Sequence, residues 1–283
     1  MNKAPGRILF PLLVVVSGIL AACSSPTNSN QPQSNQSKPQ PARGHKATSV
    51  GVYRSSASVF YLSNSTSVIG VDWTVGMGIS GDIPLTGDWD GDGKWTVGVY
   101  RPGDSTFYLR NDNSSGEANL IVPFGMKGDI PIVGDWDGNG TTTIGVYRRT
   151  NSTFYLRNTN AQGEPDLTVS FGMPGDIPIA GDWDGNSTVT IGVYRQSGST
   201  FYLRNSNSTG TPDASFPFGA SGDTPIVGDW DANGTFTVGV YRASEGRFYL
   251  RNANSTGQPD LIAAFGVKGD SPVVGNWKDP ATP

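Results

Sequence analysis

The chain has 283 residues, with 24 acidic against 20 basic side chains and a single cysteine. The acidic balance, without a basic block or stripe, excludes a nucleic-acid surface, and one cysteine excludes an intramolecular disulfide. Abundant Gly, Asn, Thr and aromatic residues, little Leu and no helix-period stretch point to short strands joined by turns.

Residues 1–22 start with Lys3 and Arg7 and continue into an apolar run over 8–20, interrupted by Pro11 and Gly18. A basic start, a short apolar core and small residues at the exit are the pattern of a secretory signal. The run is too short for a membrane span, which takes about 20 residues. Its exit, Leu20-Ala21-Ala22-Cys23, resembles the lipobox of bacterial lipoproteins. That resemblance implies lipidation of Cys23, anchoring to a membrane of the bacterial cell envelope and, with the uncharged Ser24 next, the outer membrane where the organism has one. The competing reading is an ordinary cleavage site with an incidental Cys. Without Lys3 and Arg7 the chain keeps 18 basic against 24 acidic residues. Residues 23–48 are mostly Ser, Asn, Gln and Pro, which bury too little to offset their ordering entropy, so a disordered tether is expected.

From 49 to 277 the chain repeats itself every 47 residues without insertion or deletion. The marker is Gly87-Asp88-Trp89-Asp90-Gly91-Asp92-Gly93 followed by Val97-Gly98-Val99-Tyr100-Arg101, and it returns from Gly134, Gly181 and Gly228. Each unit holds four strand-like segments, in the second register A over 82–89, B over 96–101, C over 106–110 and D over 120–124. Large side chains alternate onto both faces (Phe107 and Leu109 against Tyr108 and Arg110), as in sheets covered on both sides. Four strands in so short a repeat match a propeller blade. The first unit begins at B with Val50, and an isolated A over 270–277 ends the series. If that A completes the first B–C–D sheet, an all-β, five-bladed propeller closes with no free strand edge. An open solenoid would instead need capping repeats. Residues 278–283 form a tail.

The loop Asp88-x-Asp90-x-Asp92-Gly93-x-x-Thr96, the Val-Gly-Val-Tyr-Arg after it and the Phe-Gly before it (Phe124, Phe171, Phe218, Phe265, with Met77 in the first unit) resemble FG-GAP and VCBS-type repeats. Those repeats also build the propeller of integrin alpha subunits. The resemblance covers the whole repeat region and implies structural Ca²⁺ in these loops. The 47-residue period also matches the five-bladed tachylectin family of sugar-binding proteins, although the motif does not. The ligand sets would be Asp88, Asp90 and Asp92; Asp135, Asp137 and Asn139; Asp182, Asp184 and Asn186; and Asp229, Asp231 and Asn233. Oxygens at alternate positions of a sharp Gly loop suit this hard cation. The family's acidic ninth position is Thr96, Thr143, Thr190 or Thr237 here, and Ser187 replaces a turn Gly, so weak sites are expected. The other reading is that Asp and Asn simply cap tight turns.

Two further columns repeat: Arg at the end of B (Arg54 to Arg242) and Asp in a Gly-Asp-x-Pro step (Asp82 to Asp270). The plain reading pairs them from blade to blade, with Arg packed on Trp89-type rings. The sharper one is a sugar or carboxylate pocket between blades, built on an aromatic platform. The A–B and Asn-rich C–D loops share a face, where a repetitive ligand would gain avidity. Catalysis has little support: His45 is the only histidine and lies in the tether, so no Ser-His or Cys-His arrangement can form in the fold. A carboxylate pair for glycoside hydrolysis stays open, yet nearly every carboxylate belongs to the repeat. Trp73 and Trp95 are unit-specific and read as extra core packing. The expectation is a non-enzymatic, lipid-anchored binding or adhesion module, for carbohydrate first and a protein partner second. A scaffold lipoprotein without a small-molecule site is the alternative, and a polysaccharide hydrolase the third.

Overall fold

The B segments, rich in β-branched residues around one central Gly, form the longest strands and set the frame. A computed structural model describes residues 46–67 and 70–277. The signal over 1–22, Cys23, the tether through His45 and the tail over 278–283 lie outside the described residues. Blade 1 contains β1 (Ser49–Arg54), β2 (Val59–Leu62) and β3 (Trp73–Gly76). Blade 2 contains β4 (Ile83–Gly87), β5 (Thr96–Arg101), β6 (Thr106–Leu109) and β7 (Leu120–Pro123). Blade 3 contains β8 (Ile130–Gly134), β9 (Thr143–Arg148), β10 (Thr153–Leu156) and β11 (Leu167–Ser170). Blade 4 contains β12 (Ile177–Gly181), β13 (Thr190–Arg195), β14 (Thr200–Leu203) and β15 (Ala214–Pro217). Blade 5 contains β16 (Thr224–Gly228), β17 (Thr237–Arg242), β18 (Arg247–Leu250) and β19 (Leu261–Ala264).

The last strand, β20 (Ser271–Gly275), completes blade 1, whose sheet order is β20-β1-β2-β3. It runs antiparallel to β1 with Val50 opposite Val274 and Gly51 opposite Val273. The inner strands touch in a cycle: β4 with β8, β8 with β12, β12 with β16, β16 with β20, and β20 with β4. The chain is therefore a closed five-bladed β-propeller.

One hydrogen bond marks every junction. The amide just before B donates to the carbonyl of the Asp-loop residue one blade back: Trp95 to Asn276 at 3.1 Å, Thr142 to Asp88 at 2.7 Å, Val189 to Asp135 at 2.8 Å and Phe236 to Asp182 at 2.7 Å. At the seam Thr48 donates to Asp229 at 2.6 Å, and its hydroxyl accepts the Asp229 amide at 2.9 Å. Thr48, expected to end the tether, is thus a buried part of the ring.

The apolar cores lie between blades. Leu85, Trp89, Tyr100, Phe107, Leu109, Val122 and Phe124 of blade 2 pack with Ile144 and Val146 of blade 3. The seam is built alike, with Ile226, Trp230, Tyr241, Phe248 and Leu250 of blade 5 against Val50 and Val52 of blade 1. Trp73 and Trp95 pack at the edge of the cluster that holds Tyr53 and Trp277, in keeping with extra core packing. The central Gly of B is needed for close approach: a Cβ on Gly145 would lie 2.8 Å from Leu156 Cδ2 and 3.1 Å from the Tyr155 carbonyl oxygen. Gly145→Val is expected to destabilise the ring by about 2–3 kcal/mol through overpacking, read as a lower urea midpoint at unchanged slope.

Candidate functional site

The repeated Arg and Asp pair within a blade, across strands A and B, and not from blade to blade as expected. Asp82 precedes β4 and Arg101 ends β5, so the register of that hairpin sets them side by side. Arg101 Nε and Nη2 each donate to Asp82 at 3.0 Å. The same two-pronged pair joins Arg148 to Asp129, Arg195 to Asp176, Arg242 to Asp223 and Arg54 to Asp270. Each Asp side chain is at most 2% exposed. Each Arg also lies over a Tyr of strand C rather than a Trp, Arg101 over Tyr108 at 4.3 Å and Arg195 over Tyr202 at 4.4 Å. The reason is geometric: Tyr108 opposes Val99 on the neighbouring strand, whereas Trp89 is buried in the inter-blade core. The Arg of C instead organises its own C–D loop, with Arg110 donating to the Glu117 carbonyl and to Asp112.

The first Asp of each loop is spent on the turn; Asp88, Asp182 and Asp229 are buried and Asp135 is half-buried. Asp88 accepts the amides of Gly91, Asp92 and Gly93 at 2.8–3.0 Å. Asp135 does this for Asn139 and Gly140, Asp182 for Asn186 and Ser187, and Asp229 for Asn233 and Gly234. The fifth-position oxygens of Asp92, Asn139, Asn186 and Asn233 each accept the amide two residues on. The ninth-position hydroxyls are turned away: Thr96 Oγ1 donates to Gly87 O and, at 2.7 Å, to Arg110 O. Thr190 Oγ1 makes the same bridge, and Thr143 and Thr237 donate to Gly134 and Gly228. Thr at this position therefore ties strand A to strand B.

The four loops are not equivalent as cation sites. The carboxylates of Asp88, Asp90 and Asp92 present ligand oxygens within 4.8 Å of one another, the one such acidic cluster among the described residues. Burial pushes the Asp88 carboxyl up to about 6, helped by the charges of Asp92 and Asp90 and opposed by the Gly93 and Gly91 amides. Above that pH the loop holds three close negative charges, a donor set that fits a hard divalent ion. The second and fourth loops answer their own charge, since the Asn139 and Asn233 amides donate to Asp137 and Asp231. In the third loop Ser187 takes the left-handed turn position, at φ 70°, and Asp184 is exposed beside the buried Asp182.

The face shared by these loops is less free than its composition suggests. The side-chain amides of Asn113, Asn160, Asn207 and Asn254 reach back to the carbonyls of Trp95, Thr142, Val189 and Phe236. They lock C–D loops to A–B loops.

A cavity of about 440 Å³ lies instead between blades 3 and 4, lined among others by Asn151, Ser170, Phe171, Arg195, Tyr202 and Thr211. Its volume falls in the range of small-molecule sites, about 300–1,000 Å³. Arg195 and Tyr202 belong to the repeat, but three lining residues do not. Asn151 stands where the other units have Ala57, Asp104, Gly198 and Glu245; Ser170 where they have Gly76, Pro123, Pro217 and Ala264. Thr211 replaces Glu117, Glu164 and Gln258. Because Gly198 follows Arg195 where Glu245 follows Arg242, the Arg195 Nη1 lacks the carboxylate that Glu245 offers Arg242 at 3.3 Å. The cavity thus combines an apolar floor with a few polar groups and breaks the symmetry of the ring.

No protein-family model matches the sequence, and no curated protein matches it. Among solved structures, BBS1N in complex with ARL6DN, soaked with lead, is 13% identical at a TM-score of 0.37, over 65% of this chain. The chain spans 57% of that structure's length. A structure described for recognition of non-reducing terminal N-acetylglucosamine by a lectin of Agrocybe aegerita is 12% identical at a TM-score of 0.40. That match covers 79% of this chain and 78% of the other. Neither likeness carries an argument about ligand or partner. Among the described residues no helix is long and apolar enough to cross a membrane.

Proposed function

We propose that this propeller is a non-enzymatic binding module of the bacterial cell envelope, held to a membrane through a lipid on Cys23, and that its ligand is a carbohydrate seated between blades 3 and 4. The observation that carries the ligand site is the inter-blade cavity, where Asn151, Ser170 and Thr211 depart from the repeat. An aromatic floor with a few hydrogen-bonding groups suits a sugar, whose apolar faces and hydroxyls need both. A printed glycan array should show binding to a family of related glycans. Ser170→Pro together with Asn151→Gly installs the residues that blade 4 carries at these positions, so the ring folds while binding falls at least about tenfold, as when a few well-placed polar contacts are lost. Binding to no glycan on the array rejects the ligand class, and binding unchanged in the double variant rejects the site.

The Asp88 loop is the second part of the reading. Asp88, Asp90 and Asp92 would hold Ca²⁺, which when bound neutralises their mutual repulsion and stiffens the A–B turn. With a Kd of about 1 mM, usual for extracellular modules, 10 mM Ca²⁺ is expected to stabilise by about 1.4 kcal/mol. For a domain of this size that raises Tm by about 3–5 °C. Differential scanning with Ca²⁺ or a chelator checks this, and Asp90→Asn with Asp92→Asn should remove the shift. A Tm that does not move assigns the loop to turn capping alone.

A further inference from the structure

Seven large apolar side chains are exposed among the described residues, and four of them occupy one repeat position. Ile79, Met126, Met173 and Val267 are 52%, 52%, 47% and 53% exposed. Each opens the tight turn that leads from strand D into the next inner strand, closed by an amide of Asp82, Asp129, Asp176 or Asp270 donating to the apolar residue's carbonyl at 3.0–3.1 Å. The same Asp carboxylates accept the amides of the apolar residues at 2.9–3.0 Å. All these bonds are backbone or Asp, so the turn has no use for a large side chain. Ala220 forms it equally well in blade 5. Four apolar residues repeated on the rim of one face are therefore surplus to folding.

The charges of the two faces differ in sign. In blades 2 to 5 the A–B loops carry nine carboxylates against the single cation of Lys94. On the opposite face the charges of the five Arg–Asp pairs cancel. There Arg247 approaches Glu245 at 3.9 Å, and the Asp104 carboxylate, which accepts from the Tyr108 hydroxyl, keeps its single negative charge. Lys127, Arg149 and Lys268 remain, all exposed, and they make no ion pair among the described residues. Lys127 and Lys268 directly follow Met126 and Val267 in the turns themselves. Apolar side chains, two of them next to lysines in the sequence, on the one face free of net negative charge, fit an anionic lipid surface, which attracts the lysines while the apolar tips enter the headgroup boundary.

We infer that the face formed by the D–A turns and B–C turns docks on an anionic phospholipid surface, leaving the Asp loops directed away from it. The test uses the full chain with Cys23→Ser and a single thiol, labelled with a polarity-sensitive dye at Ser80→Cys or Ser221→Cys in the turns, or at Asp184→Cys on the Asp-loop face. Phosphatidylglycerol vesicles should blue-shift the dye at both turn positions and leave it unchanged at 184. Phosphatidylcholine vesicles should shift none. Lys127→Glu with Lys268→Glu should lower the apparent vesicle affinity at least about tenfold, since each lysine near such a surface contributes several-fold. Equal shifts on both faces, or none at the turns, overturn the inference. A turn shift that grows with protein concentration and needs no vesicle also overturns it, and assigns the face to a second copy of the chain. Vesicle docking and glycan binding are read independently, so either can fail alone.

Discussion

A chain ending at Gly269 is expected to lose its cooperative melting transition altogether. The missing strand β20 supplies the whole inner edge of blade 1. With it go Val273 and Trp277, 5% and 1% exposed, and Asp270, the partner of Arg54. Two bonds to blade 2 also vanish, Thr86 Oγ1 to Val274 O at 2.6 Å and the Trp95 amide to Asn276 O at 3.1 Å. Removing a buried Val and Trp costs about 5 kcal/mol or more, before the unpaired edge of β1 is counted. That is comparable to the whole stability of most domains, about 5–15 kcal/mol. Circular dichroism with temperature checks it. In a stack without closure, by contrast, the remaining repeats would go on melting together with a loss proportional to one strand.

The second large effect belongs to the Arg–Asp pairs. Arg148→Met should destabilise the ring by about 3 kcal/mol, because it strands the Asp129 carboxylate, 2% exposed, without its cation. Asp129→Asn should cost less, since the amide oxygen can still accept the Met126 amide, now at 3.0 Å. The double variant should recover a part of the loss. The double-mutant cycle by urea titration then gives a coupling energy of about 1–3 kcal/mol, and additive losses would show that the pair is not an energetic unit.

Much of this architecture is legible in the sequence because the repeat is strict. The bounds of B over 96–101 match those of β5, and the orphan A over 270–277 finds β1 as expected. Segment A is shorter than its pattern, since Asp82 and Trp89 serve the Arg pair and the inter-blade core and not the ladder. The partners of Arg were misread because a column of residues shows that a contact recurs without showing its direction. Only the A–B register decides that Asp82 faces Arg101 of its own blade. The ninth-position Thr looked like a weakened ligand, but its hydroxyl is committed to strand carbonyls. The cavity was missed for the opposite reason. Asn151, Ser170 and Thr211 look like tolerated variation one at a time, and only the fold brings them to one groove. Comparing each column of the repeat for residues that depart from it would have singled out Ser170, a hydroxyl where the other units have Gly, Pro or Ala.

A ring made of one junction used five times should protect that junction equally at every position. Native-state hydrogen exchange at the amides of Thr48, Trp95, Thr142, Val189 and Phe236 reads this directly, since each donates to the blade before it. Closure predicts that Thr48 and Trp95, which lie at the two sides of the blade completed by β20, exchange as slowly as the other three, with opening free energies near that of global unfolding. Fast exchange at Thr48 and Trp95 alone, beside slow exchange at Thr142, Val189 and Phe236, would contradict it and show an open stack of blades.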